Sequence, residues 1–122
     1  PVNCEASPET IDAYRKAAEQ EGLIIAEVGI WKNVLAVDNR EREEAVAYSI
    51  NQLKMADEIG AKCCVNIVGT PHGPIWDGGY PGNFSKETWK MAVDSILFEN
   101  DVHHQRCGHA GADALDDSDR SR

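Results

Sequence analysis

Six side chains suited to binding a small polar molecule lie within or just after two apolar segments, residues 23–31 and 62–70. They are Trp31, Asn33, Asn66, His72, Trp76 and Asp77. An imidazole exchanges protons near neutral pH, and amides and carboxylates form directional hydrogen bonds with hydroxyl groups. Indoles supply flat apolar walls against which a ring can stack. This combination predicts a small-molecule site in which His72 is a hydrogen-bond donor or a general base.

Each of these side chains also has a structural explanation. Loop histidines are often solvated, amides often hydrogen-bond within the protein, and indoles near strand ends often pack beneath loops. Glu27 interrupts the first apolar segment, and in a strand its side chain shares a face with Ile25 and Gly29. If that face is a barrel interior, Glu27 is either a buried functional carboxylate or a hydrogen-bonded structural one, because an unpaired buried charge is costly.

The two apolar segments are predicted to be parallel strands joined by a long helix. Asp38 with Glu41 matches a capping box, the apolar positions that follow have helical spacing, and Gly60 ends the helix. Because ligands of α/β folds bind beyond the carboxyl ends of parallel strands, residues 31–34 and 69–77 should share one rim. The crossover between the strands is expected to be right-handed.

Two further helices flank this unit. Ser7 and Pro8 predict the start of the first helix, which ends at Gly22, and Ser85 predicts the start of the third. The third helix should fade near Asn100, and residues 101–122 lack an apolar period and are predicted to be disordered. The His and Cys residues at 103–109 are zinc-ligand types, but their spacing within a predicted coil disfavours a metal site.

Composition excludes several functional classes. The formal net charge is −9, so the chain lacks the basic surface that nucleic-acid binding requires. It has no apolar run of membrane-spanning length and no signal-peptide pattern, which predicts a cytoplasmic protein without membrane contact. The four cysteines are predicted to be small buried hydrophobes rather than a disulfide framework. Residues 69–73 contain two glycines but match neither nucleotide-binding order, GxxxxGK[ST] or GxGxxG.

Three stretches together resemble the sugar phosphate isomerase/epimerase family of xylose isomerase-like barrels. They are GLIIAEVGIWKN at 22–33, REREEAVAYSINQLKMADEIGAKCCVNIVGT at 40–70 and WDGGYPGNFSKETW at 76–89. The resemblance covers roughly three quarters of the chain, from about residue 7 to residue 96. It rests on the order of strand, capped helix, Gly-Ala-Lys segment and Trp-Asp loop. It implies an α/β fold in which residues 1–100 form a partial (β/α)₈ TIM barrel and residues 101–122 a disordered or aberrant tail.

The resemblance also implies an activity. Members of the family use a divalent metal, Mn²⁺, Mg²⁺ or Zn²⁺, to polarise a sugar carbonyl and hydroxyl while acid–base residues move a proton between adjacent carbons. Their Glu, Asp, His and Glu metal ligands lie on later strands and match no residue here, so no metal ligand and no catalytic residue is assigned. The expected function is therefore a fragment of a sugar or sugar-phosphate isomerase/epimerase, inactive alone, which also self-associates through open sheet edges. The alternative is a non-catalytic remnant or sugar-binding module.

Overall fold

The computed structural model describes residues 2–107, with side chains as far as residue 105. Its elements are α1 (Pro8–Gln20), β1 (Glu27–Ile30), α2 (Asn39–Ile59), β2 (Cys63–Asn66), a 3₁₀ turn (Pro81–Phe84) and α3 (Lys86–Cys107). The predicted α/β class, with two parallel strands and three helices, is confirmed. No helix within this part of the chain combines the length and the apolar character needed to cross a membrane.

The helix starts follow from side chains that accept hydrogen bonds from the first turn. Ser7 accepts from the backbone N–H of Thr10, Asp38 from that of Glu41, and Ser85 from that of Thr88. Gly60 ends α2 in the left-handed conformation at φ 73°, which costs glycine little. All three predicted helix starts are confirmed.

The sheet consists of β1 and β2 in parallel register, from Glu27 beside Cys63 to Ile30 beside Asn66. Its strands are shorter than the apolar segments suggest, and Leu23 and Ile24 lie outside β1 and are exposed. The expectation that residues 23–28 form a strand covered on both faces is therefore wrong. Within the described chain, helices cover only one face of the sheet.

The covered face carries Val28 and Ile30 of β1. Val28 packs with Ile11 of α1 and with Met55 and Ile59 of α2. On β2 the same face presents Asn66, which contacts α3, so all three helices lie on this side. A second core cluster of Val34, Leu35 and Ala45 lies under the chain that leaves β1.

We call the opposite side of the sheet the bare face, formed by Glu27, Gly29, Cys63 and Val65. Because strand side chains alternate, these four residues point away from the helices. Glu27 and Cys63 are exposed there. The expectation of a buried Cys63 thiol is wrong, because no described element covers this face. Burial of the Glu27 carboxylate is expected only if this face lines a barrel interior, and that condition stays a prediction.

Helix α3 continues to Cys107, so the predicted helix end near Asn100 is wrong, as is the predicted coil at residues 101–107. His103 explains the difference, since it is buried and its Nε2 lies 2.8 Å from the Asp57 carboxylate of α2. Packing against α2 therefore extends the helix beyond its apolar period. The rest of the predicted tail, residues 108–122, lies outside the described residues.

We expect the chain to self-associate through the sheet. Both strands have a free edge within the described residues, and Val65 is 37% exposed on the bare face. Free strand edges pair readily with other strands, and a lysine at position 65 should oppose such pairing. Size-exclusion chromatography with light scattering should show oligomers that Val65→Lys shifts toward monomer. Val37→Lys, at a loop valine that is 75% exposed, is the control and should leave the distribution unchanged. A wild-type chain that stays monomeric at all concentrations would contradict this expectation.

Candidate functional site

The carboxyl ends of β1 and β2 share one rim, which we define as the loops at residues 31–37 and 67–80. Asn33 joins these loops: its Oδ1 accepts hydrogen bonds from the backbone N–H groups of Leu35 (3.2 Å) and Thr70 (3.0 Å). Its Nδ2 donates to the carbonyl oxygen of Thr70 at 2.9 Å. The predicted placement of both loops on one rim is therefore observed, and the Asn33 amide uses three of its four hydrogen-bonding positions, two of them across to the second loop.

Thr70 connects the rim to the 3₁₀ turn. It is buried, and its hydroxyl accepts a hydrogen bond from the backbone N–H of His72 at 3.0 Å. The same hydroxyl donates to Oδ1 of Asn83, whose Nδ2 donates to the carbonyl oxygen of Gly78 at 2.9 Å. The loop that carries Trp76 and Asp77 is therefore fastened at both of its ends.

His72 is half-buried on this framework. Its Nε2 lies 3.0 Å from the hydroxyl of Thr88, a buried residue in the first turn of α3. Gly82 lies directly against the imidazole, because a Cβ there would be 2.7 Å from Nε2. The ring is therefore held from two sides by the 3₁₀ turn and α3.

The other predicted site residues fall into two groups. Trp31 is 59% exposed with its indole over Gly29, on the bare face at the rim. Trp76 is half-buried and Asp77 is exposed. Asn66 lies on the covered face instead, where it donates to Glu99 at 2.9 Å and accepts from the N–H of Val68 at 2.8 Å. Trp31, Asn33, His72, Trp76 and Asp77 therefore lie in the rim loops, and Asn66 lies apart from them. Among these five in the described chain, Asn33 is the residue that hydrogen-bonds across to the other loop.

Glu99 is the buried acid that the sequence analysis missed. It is only 2% exposed, and its Oε1 has no hydrogen-bond partner among the described residues. Burial raises the pKa of Glu99 to about 7, although the Asn66 hydrogen bond acts in the opposite direction. Burial likewise raises the pKa of nearby Cys64 to about 11, with smaller contributions from Cys63 and Glu99. This acid lies under β2, on the helix side of the sheet.

The chain reverses sharply after β2 through two successive left-handed residues, Val68 (φ 55°) and Gly69 (φ 80°). A β-branched residue rarely adopts this conformation. Val68 is held there by the Asn66 side chain, which accepts its N–H. Gly69 must lack a side chain, because a Cβ would overlap the Asn33 amide. The loop geometry therefore depends on Gly69 as well as on Asn33.

Gly69→Ala should destabilise the protein by roughly 2 kcal/mol, because it combines left-handed strain with a clash. Gly60→Ala is a matched control, since Gly60 also has a positive φ but has open space where a Cβ would lie. It should cost about 1 kcal/mol. Urea unfolding of both variants measures the difference, and equal losses would show that the Gly69–Asn33 contact is unimportant.

Within residues 2–107, no group of three or more His, Cys, Asp or Glu side chains could hold a metal ion. The described residues therefore do not by themselves supply a ligand set for the divalent metal that the family resemblance implies. Neither the scan against protein-family models nor the searches of curated proteins and of solved structures find a match to this chain.

Proposed function

We propose that this chain is a sugar-binding part of a sugar or sugar-phosphate isomerase/epimerase built on a (β/α)₈ barrel. The observation that carries the proposal is the rim, where a fixed histidine and an exposed indole follow two parallel strands. Hydrogen-bonding groups beside a flat apolar wall are what a sugar requires, because its ring has apolar faces and polar edges.

The two faces of the sheet support the barrel. Three helices lie on one face, and the other is left bare with Val65 among its side chains. In a (β/α)₈ barrel the helices form an outer ring and the opposite strand face lines the packed interior. The bare face of this chain corresponds to that interior.

In this proposal the rim residues have different roles. The exposed indole of Trp31 stacks on one face of the sugar, and Trp76 adds apolar contact from the second rim loop. His72 and Asp77 hydrogen-bond the hydroxyl groups of the sugar. Asn33 acts indirectly by holding the two loops together. Asn66, with its amide engaged on the covered face, contributes no contact to the sugar.

The test uses the chain's three tryptophans as separate reporters. In NMR spectra, D-fructose and D-xylulose should shift the indole N–H signals of Trp31 and Trp76 with a dissociation constant of about 1 mM, or roughly −4 kcal/mol. The signal of Trp89, which is 72% exposed on α3, should not move. Trp31→Phe should weaken binding and Trp89→Phe should not. Unchanged spectra at about 50 mM sugar would refute the proposal.

We expect no isomerase turnover from this polypeptide alone. The metal ligands that the resemblance implies belong to strands beyond β1 and β2, so proton transfer between sugar carbons lacks its electrophile. Incubating the purified chain with either ketose and Mn²⁺, Mg²⁺ or Zn²⁺ should yield no new sugar. Measurable turnover would contradict this expectation.

Binding without turnover is also the result expected of a non-catalytic sugar-binding module. Addition in trans of a polypeptide that carries the other barrel strands would distinguish the enzyme fragment from the binding module, because turnover should appear only for the enzyme fragment.

A further inference from the structure

The hydroxyl of Thr88 has three polar neighbours. They are the Gly82 carbonyl oxygen at 2.9 Å, the Ser85 hydroxyl at 3.1 Å and Nε2 of His72 at 3.0 Å. A hydroxyl group can donate one hydrogen bond and accept two. A carbonyl oxygen has no proton to give, so the Thr88 hydroxyl donates to Gly82, whose carbonyl oxygen also accepts from the backbone N–H of Ser85 at 3.1 Å. The two acceptor positions of Thr88 are then filled by Ser85 and His72.

This arrangement favours the Nε2–H tautomer of His72. If Nε2 donates to Thr88, the neutral ring carries its proton on Nε2 and a lone pair on Nδ1. No described residue forms a hydrogen bond with Nδ1. The ring cannot slide away from Thr88, since Gly82 lies against it and the backbone N–H of His72 is bonded to Thr70. The protein therefore fixes the imidazole and leaves one acceptor uncommitted.

We propose that Thr88 is a positioning residue that holds His72 as the Nε2–H tautomer, so that Nδ1 accepts a hydrogen bond from a sugar hydroxyl. The proposal rests on the sugar-binding function proposed above and deepens it. It specifies that the ligand group at His72 is a hydroxyl and not a phosphate.

The choice between these two groups follows from donor and acceptor chemistry. A sugar hydroxyl can donate to the Nδ1 lone pair, whereas the oxygens of a phosphate monoester dianion, which has no P–OH group, only accept. A phosphate at this position would need a proton on Nδ1. The formal net charge of −9 also disfavours an anion.

The chain contains a matched control for Thr88. At the start of α1, Ser7 and Thr10 repeat the arrangement of Ser85 and Thr88, with the serine accepting the threonine N–H and the two hydroxyls 3.2 Å apart. No histidine contacts the hydroxyl of Thr10 in the described chain. Thr10→Val therefore removes the same hydroxyl from the same helix position without affecting His72.

Nitrogen-15 NMR of the imidazole, without ligand, tests the tautomer. At pH 8, wild type and Thr88→Ser should show a protonated Nε2 whose hydrogen exchanges slowly, and Thr88→Val should lose this slow exchange. Thr10→Val should match wild type, and unfolding curves of all variants identify any that fail to fold. An Nδ1–H tautomer in the wild-type ring would overturn the proposal.

Binding of D-fructose and of methyl phosphate, a monoester whose dianion has no P–OH group, tests the ligand group. Thr88→Val should weaken fructose binding roughly five- to tenfold, the range expected for one misplaced hydrogen bond, and Thr88→Ser should restore it. Methyl phosphate should bind neither wild type nor Thr88→Ser. Equal fructose affinity in wild type and Thr88→Val, or methyl phosphate binding tighter than fructose, would overturn the proposal. If no sugar binds at all, the function proposed above fails and the hydroxyl assignment fails with it. The ligand-free tautomer still decides separately whether Thr88 holds the ring.

Discussion

Replacing Glu99 by glutamine should stabilise the protein by about 2 kcal/mol at pH 8 and should remove a large part of its pH dependence. Burial raises the pKa of Glu99 in the folded protein to about 7 from an ordinary value of 4.5. Below pH 4.5 the carboxyl is neutral in both the folded and the unfolded chain, so its contribution to the free energy of unfolding is fully present there. This contribution is lost as the pH rises through 7, because folding must then bury a charged carboxylate.

The size of the loss follows from the same shift. A rise from 4.5 to about 7 corresponds to about 3 kcal/mol lost between acidic and mildly basic pH. Glutamine stays neutral, but its buried amide lacks a partner for some of its hydrogens, which reduces the gain by about 1 kcal/mol.

Urea unfolding at pH 5, 6, 7 and 8 measures this difference between the variant and wild type. Glu43→Gln, at an exposed glutamate of α2, is the control and should change stability by less than about 0.5 kcal/mol at every pH. A carbon-13 titration of the Glu99 carboxyl observes the group directly. If wild type and Glu99→Gln lose stability in parallel as the pH rises, Glu99 is not the group responsible.

Asn33→Ala should destabilise the protein by about 3 kcal/mol. The side chain makes three hydrogen bonds to backbone groups of Leu35 and Thr70. Each contributes about 1 kcal/mol, and removal of the amide leaves the N–H and carbonyl of buried Thr70 without partners. The two loops of the rim would then separate, so sugar binding should fall together with stability.

Asn33→Asp and Asn51→Ala sharpen this experiment. Aspartate can still accept from the two N–H groups but cannot donate to the Thr70 carbonyl, so its loss should be intermediate. Asn51 is exposed on α2 and forms no side-chain hydrogen bond within the described chain, so its replacement should change stability by less than about 0.5 kcal/mol. An Asn33→Ala variant as stable as Asn51→Ala would show that the loops are held by other contacts.

Features that depend on near neighbours in the chain were predictable from the sequence. Ser7, Asp38 and Ser85 each accept from an N–H three residues later, and all three helices begin where these residues predict. The common rim followed from the parallel direction of the strands. The helix starts were predictable because each capping residue and its partner lie three residues apart, and the rim was predictable because strand direction alone fixes which loops share an edge.

The contacts that build the site were not predictable in the same way. Thr70 meets Asn83 across 13 residues, His72 meets Thr88 across 16, and Asn66 meets Glu99 across 33. No local pattern distinguishes these polar residues from solvated ones. The lengths of β1 and α3 also depended on tertiary packing. Ile24 has no covering element and lies outside β1, whereas buried His103 packs against α2 and lies in the part of α3 that was predicted to be coil.

We expect the crossover between β1 and β2 to set the order in which the protein folds. No tight turn can join parallel neighbours, and the contact from Asn33 to Thr70 spans 37 residues of chain. Closing so long a segment costs entropy, which the chain reduces by first forming α2, a process that takes about 1 μs for a helix of this length. The sheet and the Asn33 contacts then form together, after the transition state. Substitutions within α2 will therefore mainly change the refolding rate, and substitutions at Asn33 will mainly change the unfolding rate.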